Sequence, residues 1–239
     1  VVLESLRRFV AAYQSVAPVK IGELWAIPIM LRLALIENLR RVATGIAASL
    51  IERNRAAHWA EQMTTIAERD PKSLILTIAD MARSGLPMES AFVAEFARRL
   101  QGQSPALALP LTWIEQVLAE TATTIAQSIQ SDNQQQAADQ ISVSNSIGSL
   151  RFLSSMDWRQ FVETMSLVER KLREDPADVY GRMDFSSRDR YRHVIEKLAR
   201  ASNLGETDVA GKAIDLALAG ATLAGTGDRR AHVGYYLID

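Results

Sequence analysis

The sequence predicts an all-α protein, an irregular multi-helix bundle that is braced by one or two long helices. Apolar side chains recur every three or four residues along most of the 239 positions, which is the helical period. Cap residues separate the periodic stretches, with Asp70 and Ser186 at predicted helix starts and Gly102 after a predicted end. The composition, 48% apolar and 23% charged, is typical of globular proteins.

The first half of the chain predicts four helices. Proline marks several of their boundaries, because it favours the first helical turn and disrupts later ones. The second of these helices would be about 60 Å long at ~1.5 Å per residue, long enough to brace several others. The predicted helices run from Leu3 to the residues before Pro18, from Ile29 to about Arg69, from Pro71 to Arg83, and from Pro87 to the residues before Gly102.

The second half begins with a proline-rich joint at 104–113 and continues with shorter helices. A long helix is expected over 111–140, with the glutamine-rich stretch 127–140 as its exposed end and turn. The segment HVGYYLI at 232–238 combines β-branched and aromatic residues, so it is the only candidate for a short C-terminal strand. Further helices are predicted at 145–154, 157–174, 176–182, 187–202 and 206–224.

The chain is expected to be a single helical domain over residues 1–239, with sub-domains 1–103 and 104–239 as the alternative division. It starts without Met inside a helical pattern, which indicates a segment of a longer protein. The most apolar run, 24–41, contains Arg32 and Glu37, so it is shorter than the ~18–20 uncharged residues that a membrane span requires.

Charge and motifs argue against several classes of site. A net charge of −1 lacks the basic excess that nucleic-acid binding uses. His58, His193 and His232 lie far apart in the sequence, so no metal site is predicted, and His232 is expected to be the most exposed of them. The segment GETDVAGK at 205–212 has the wrong spacing for a phosphate loop, and no cofactor-binding residue is predicted.

No catalytic residue is predicted either. Glu163 with Glu169, or Asp184 with Asp189, are the carboxylate pairs that acid–base chemistry would use, but the sequence indicates no pocket or partner for them. The four tryptophans, Trp25, Trp59, Trp113 and Trp158, are interpreted as core anchors, with a sugar-stacking platform as the alternative.

The charged stretch 183–200 predicts an amphipathic helix. Ser186 and Asp189 form the Ser-x-x-Asp pattern of a helix start. Helical spacing then places Tyr191, Ile195 and Leu198 in the core.

The same spacing places Arg188, Arg192 and Glu196 on the solvent side of this helix. The arginines Arg188, Arg190 and Arg192 outnumber the acidic partners available at helical spacing. Their excess, together with Tyr235 and Tyr236 in the tail, predicts a contact surface for a partner.

Three segments resemble the cyclic β-1,2-glucan synthases: residues 21–41, 157–199 and 232–239. The middle one is the most specific, because it contains DPADVY and MDFSSRDRYR. The resemblance implies a bacterial protein of the inner membrane, with this region on its cytoplasmic face before a membrane-embedded domain that polymerises glucose from UDP-glucose. The matched segments belong to the preceding region, so no catalytic residue of that domain is carried onto this chain.

The resemblance therefore favours a non-catalytic helical domain whose partner is the rest of the same polypeptide, and which supports or positions the glucosyltransferase. Two alternatives stay open. One is an α/α-type carbohydrate-binding or carbohydrate-active domain, and the other is a generic helical interaction module.

Overall fold

A computed structural model describes residues 3–85 and 88–238 of the chain, and the helix start expected at Pro87 lies outside them. The described residues form eleven α-helices joined by short turns and 3-10 segments, and they contain no strand. The predicted all-α fold is confirmed. No helix in these two ranges is both long enough and apolar enough to cross a membrane.

The helices are named here in chain order. They are α1 (Leu3–Gln14), α2 (Ile21–Arg69), α3 (Leu74–Arg83), α4 (Ser90–Leu100), α5 (Ala108–Ala119), α6 (Ile125–Ser155), α7 (Trp158–Met165), α8 (Leu167–Leu172), α9 (Phe185–Ala201), α10 (Glu206–Ala224) and α11 (Gly234–Leu237). With 49 and 31 residues, α2 and α6 are much longer than the other described helices, and α2 contains the long helix predicted over 29–69.

Helix α2 begins earlier than predicted, at Ile21, and contains Pro28. Two carboxylates satisfy amide groups at this start. Glu206 accepts a hydrogen bond from the Ile21 amide (2.9 Å), and Glu23 accepts one from the Lys20 amide (2.8 Å). Because these amides have carboxylate partners, the helix can start about two turns before the proline.

The long helix predicted over 111–140 is in fact two helices. Helix α5 ends at Ala119, and Ala122 has a positive φ of 53° in the turn that follows. A reciprocal cap then starts α6: the Gln127 amide donates to the Thr124 hydroxyl (3.1 Å), and the Thr124 amide donates to the Gln127 side chain (3.0 Å). The glutamine-rich stretch is therefore inside α6 and not at a helix end.

The chain divides into two compact units: unit 1 comprises residues 1–34 and 149–239, and unit 2 comprises residues 35–148. Neither unit coincides with residues 1–103 or 104–239, and the single domain over residues 1–239 stays a prediction. The core of unit 2 centres on Phe92 and Phe96 of α4, whose rings stack 5.7 Å apart, with Met63 of α2 and Ile114 of α5 also buried.

The described residues of unit 1 form two apolar clusters. One contains Ile195 of α9 and Ile214 of α10, and the other contains Leu24 of α2 and Phe161 of α7. All four tryptophans are partly buried against a core, as the sequence predicts: Trp25 and Trp158 in unit 1, and Trp59 and Trp113 in unit 2.

The expected C-terminal strand is wrong. Residues Arg229–Ala231 form a 3-10 turn, and α11 follows. The amides of Leu237 and Ile238 donate to the carbonyl oxygens of Val233 and Gly234, so they are satisfied locally. No strand within 3–85 or 88–238 is present to pair with an extended tail, so helical turns satisfy the backbone instead.

Gly220 of α10 lets this terminal segment pack closely. A Cβ atom at position 220 would overlap the carbonyl oxygen of Arg230, which is backbone and cannot rotate away. Gly211, on the same helix, has room for a Cβ atom, because the nearest atom would be Lys171 Cε at an ordinary contact distance of 3.8 Å. The two glycines therefore differ in the contacts that an added Cβ atom would make.

We expect Gly220→Ala to lower the free energy of unfolding by about 1–3 kcal/mol, as overpacking does. The matched variant Gly211→Ala should raise it by up to about 1 kcal/mol, because alanine is the better helix former. Urea denaturation of both variants tests this pair. A neutral or stabilising Gly220→Ala would show that the terminal segment does not pack on α10 as described.

Candidate functional site

A buried cluster of charged side chains in unit 1 joins α7, α8 and α9. We call it the arginine–carboxylate cluster. Helix α7 supplies Glu163, α8 supplies Glu169, and α9 supplies Arg188, Asp189 and Arg192. Because the three helices follow one another in the chain, the residues that meet in this cluster are at most 29 positions apart in the sequence.

Arg192 is the centre of this cluster, and its side chain is 0% exposed. One terminal nitrogen, Nη1, donates to Glu169 (2.6 Å) and Glu163 (3.2 Å), while Nη2 donates to Asp189 (3.0 Å). Its guanidinium also lies over the Phe185 ring, 5.0 Å from the ring centre. Burial disfavours the charged form, but the carboxylate bonds outweigh it and raise the pKa of Arg192.

Arg188 also binds Glu163, and both arginines contact its Oε1 atom. Arg188 Nη2 lies 2.8 and 3.0 Å from the two Glu163 oxygens, and Arg188 Nη1 donates to the Met183 carbonyl. Burial opposes ionisation of Glu163, but hydrogen bonds from Arg188 and Arg192 outweigh this effect and lower the pKa of Glu163. The arrangement keeps Glu163 ionised and occupied by arginine.

Glu169 connects the cluster to the loop before α9. Its Oε2 accepts a hydrogen bond from the Tyr180 hydroxyl (2.7 Å), and its Oε1 accepts one from Arg173 (2.9 Å). Burial first, and the neighbouring Glu169 charge second, raise the pKa of the Tyr180 phenol. Tyr180 therefore stays protonated and donates to the carboxylate.

A second buried carboxylate, Asp175, binds the C-terminal segment. Its Oδ2 accepts from the amides of Val179 and Tyr180 (3.1 Å each) and from His232 Nδ1 (2.8 Å), while Oδ1 accepts from the Val233 amide (3.0 Å). Burial opposes ionisation of Asp175, but these bonds outweigh it and lower the pKa of the carboxyl group.

His232 continues this set of contacts to α9. Because an ionised Asp175 can only accept, Nδ1 of His232 carries the hydrogen, and in the neutral ring Nε2 accepts from the Tyr191 hydroxyl, 3.0 Å away. Gly234 makes this approach feasible, since a Cβ there would overlap both the Tyr191 hydroxyl and His232 Nε2. These hydrogen bonds hold the C-terminal tail, residues 229–238, against α9.

A cavity of about 540 Å³ lies beside these residues and is lined in part by Tyr191, His232, Asp228 and Tyr235. Asp228, the one carboxylate among the described residues that line it, is paired with Arg230 (3.0 Å), and Arg229 lies over the Tyr235 ring. The sugar-binding alternative would use a deep pocket with two carboxylates and an aromatic ring, and among its described lining residues this cavity offers one carboxylate, already paired. A second cavity, of about 550 Å³ in unit 2, is lined by Glu61, Asp80 and Trp59 among others, and Asp80 is paired with Arg83.

The predicted faces of α9 are partly wrong. Ile195 is fully buried as expected, and Tyr191 is partly buried, but Leu198 is 42% exposed. Arg192, expected in solvent, is in the core, and the Arg188 side chain is only 12% exposed. Hydrophobic periodicity assigns every arginine to the surface. It contains no information about the carboxylates that α7 and α8 place around Arg192.

The predicted start of α9 is also wrong by two residues. Asp184 is the N-cap, and its carboxylate accepts from the Ser187 amide at 3.0 Å and from the Ser187 hydroxyl at 2.8 Å. Backbone and side-chain bonds from serine, Ser187 first, lower the pKa of Asp184. The earlier cap adds Phe185 to the helix, and its ring meets Arg192.

The residues predicted to contact a partner differ in their exposure to solvent. Arg190 is exposed, Tyr235 is 41% exposed, and Tyr236 is partly buried against the unit 1 core. Arg188 and Arg192 are engaged by carboxylates, so Arg192 is not accessible to a partner. Partner contact by the exposed residues stays a prediction.

The histidines reverse their expected order of exposure. His58 and His193 are exposed, whereas the side chain of His232 is only 18% exposed. Among the residues that the structure describes, no group of three or more His, Cys, Asp or Glu side chains is placed to hold a metal ion.

Sequence reasoning missed the roles of Glu169, Asp175, Tyr180 and His232. No spacing rule relates Asp175 to His232, which are 57 residues apart. The available signal was their position: all four lie within the segments 157–199 and 232–239 that carry the family resemblance.

Comparison with known proteins agrees with that resemblance. The chain is 33% identical over 213 residues to the cyclic beta-(1,2)-glucan synthase NdvB of Rhizobium meliloti (strain 1021). The match covers 89% of this chain but about 7% of the length of that protein. No protein-family model matches the chain.

We expect Arg192→Ala to lower the free energy of unfolding by about 3–5 kcal/mol, because it leaves buried carboxylates without their counter-charge. The matched variant Arg190→Ala, two positions away and exposed, should change it by about 0.5 kcal/mol or less. Urea denaturation measures both. Equal effects of the two substitutions would contradict the burial of Arg192.

Proposed function

Because this chain is a sequence relative of the cyclic β-1,2-glucan synthases over 89% of its length, we propose that it acts as a non-catalytic helical domain of such a synthase. It supports or positions the part of the same polypeptide that polymerises glucose from UDP-glucose. The chain spans about 7% of the relative's length, so most of that relative lies outside the matched region and has room for catalytic domains.

The observation that carries this proposal is the convergence of the family-like segments on one buried network. Asp175 from 157–199 binds His232 and Val233 from 232–239, and Tyr180 links Asp175 to Glu169 of the arginine–carboxylate cluster. Such a network fixes the path of the backbone. A fixed tail is useful to a domain that must hold the next part of a polypeptide in a set direction.

The state of the carboxylates supports a non-catalytic role. General acid–base catalysis requires a carboxyl group that exchanges a proton near the working pH. The lowered pKa values of Glu163 and Asp175 keep both groups ionised, and arginine or histidine side chains already occupy their oxygens. In this proposal, no cofactor binds to the segment.

The proposed location is the cytoplasmic face of the bacterial inner membrane, where UDP-glucose is available. The proposed contact surface uses the exposed members of the predicted set, Arg190 of α9 and Tyr235 of α11. Both side chains are accessible in unit 1, and aromatic and arginine side chains are the residues that most often dominate protein contacts.

In a full-length synthase that carries this segment, we expect the double variant Arg190→Ala, Tyr235→Ala to lower glucan output from UDP-glucose. A reduction of about fivefold corresponds to ~1 kcal/mol of lost docking free energy. The unfolding free energy of the 239-residue chain should change by about 0.5 kcal/mol or less.

The matched control is Arg8→Ala, Tyr13→Ala, which removes the same two residue types from exposed positions of α1 in the same unit. Its glucan output should equal that of the unmodified synthase. Full output from the Arg190, Tyr235 variant would contradict the proposed contact surface. Glucan made from UDP-glucose by the isolated chain would contradict the non-catalytic role.

A further inference from the structure

The cavity of about 550 Å³ in unit 2 has no part in the docking function proposed above. Helix α2 supplies most of its lining, from residues between 58 and 66, and α3 supplies Thr77 and Asp80. Ligand pockets in proteins usually measure about 300–1,000 Å³, so this cavity has the volume of a small-molecule site.

The two helices that form the cavity are fixed relative to each other. The Asp70 carboxylate, in the turn between them, accepts hydrogen bonds from the Lys72 amide (3.2 Å) and the Ser73 hydroxyl (2.6 Å). On the core side of the same helices, Met63 of α2 and Leu74 of α3 are buried in one apolar cluster. The cavity walls are therefore preformed, and a ligand would not have to order them.

Trp59 gives the cavity an aromatic wall. Its side chain packs partly against the unit 2 core and also lines the cavity, so the indole ring is held in place and stays accessible. The His58 ring stands at 64° to it, with the ring centres 6.2 Å apart. The indole nitrogen of Trp59 is reached by solvent and makes no hydrogen bond with the described residues, so it can donate to a ligand.

Polar side chains beside this ring offer both donors and acceptors. Gln62 Nε2 lies 3.2 Å from His58 Nε2 and can donate to it, which leaves Gln62 Oε1 to accept and His58 Nδ1 to donate. The Glu61 carboxylate has no ion pair or hydrogen bond within the described residues and adds another acceptor. The hydroxyl of the buried Thr77 donates only at 3.4 Å, to the Ser73 carbonyl, and its oxygen can accept.

The charges around the cavity favour a neutral ligand. The Asp80 carboxylate is paired with Arg83, which does not line the cavity. No lysine or arginine is among the described lining residues, so a phosphate group would find no counter-charge. The described acidic and histidine side chains are not grouped to hold a metal ion.

We propose that this cavity binds a neutral oligosaccharide, with one pyranose ring stacked on Trp59. The electron-rich face of an indole attracts the C–H bonds on one side of such a ring. Each sugar hydroxyl both donates and accepts, which matches the mixed set formed by His58, Glu61 and Gln62. The choice of glucose as the sugar rests on the proposed function, whereas the geometry of the site does not.

NMR titration of the 239-residue chain with a β-1,2-linked glucose trisaccharide tests the site. We expect a saturable shift of the Trp59 indole N–H signal, while those of Trp25, Trp113 and Trp158 stay in place. Trp59→Ala should weaken binding about tenfold or more, where tenfold corresponds to ~1.4 kcal/mol. Its matched control is Trp113→Ala, which removes a partly buried tryptophan of the same unit outside the cavity and should leave the affinity of the folded chain unchanged.

A second pair of variants avoids the core altogether. Gln62→Ala, at an exposed position, should weaken binding about fivefold, the usual effect of one hydrogen bond. Gln134→Ala removes the same side chain from an exposed position of α6 outside the cavity and should have no effect. Equal effects of these two variants would overturn the site.

Two other outcomes would also overturn the proposal. One is the absence of a saturable shift, or an equal shift of all four indole signals, on adding the trisaccharide. The other is binding of UDP-glucose at Trp59 in place of the trisaccharide, which would show that the site selects a phosphate-bearing ligand. Neither outcome would alter the glucan output expected for the Arg190, Tyr235 variant, so the two proposals fail separately.

Discussion

The carboxylate of Asp175 is the contact on which the C-terminal part of unit 1 depends. It accepts hydrogen bonds from the amides of Val179, Tyr180 and Val233 and from the His232 ring, and its side chain is 0% exposed. A buried charge with this many donors is stable only while all of them are in place. The loop before α9 and the segment after α10 are therefore ordered together.

Tyr180 makes this contact continuous with the arginine–carboxylate cluster. Its amide donates to Asp175 and its hydroxyl donates to Glu169, which also binds the buried Arg192. One set of polar contacts thus connects α7, α8, α9 and the tail. Buried ionic groups seldom add much net stability, but they penalise every alternative arrangement that leaves a charge unpaired. We infer that the network specifies where the tail lies.

Local signals in the sequence predicted most of the helices, and contacts between helices account for the wrong assignment of the α9 faces. Asp70 caps the turn before α3 as predicted, because a cap depends on neighbours two residues away. The Thr124–Gln127 cap was equally local, and its Thr-x-x-Gln pattern could have been found. The burial of Arg192 and the Asp175–His232 bond could not, since Glu169 lies 23 positions from Arg192 and His232 lies 57 positions from Asp175.

Hydrogen exchange of the Val233 amide tests the central claim most directly, because this amide donates to Asp175. In Asp175→Asn we expect its exchange to accelerate at least about tenfold, which corresponds to ~1.4 kcal/mol of lost protection. Amides in the unit 2 core of Asp175→Asn should exchange as before. The side chain of Asp178 is 81% exposed, so in the matched variant Asp178→Asn the Val233 amide should exchange as it does in the unmodified chain. Unchanged protection of Val233 in Asp175→Asn would contradict the account.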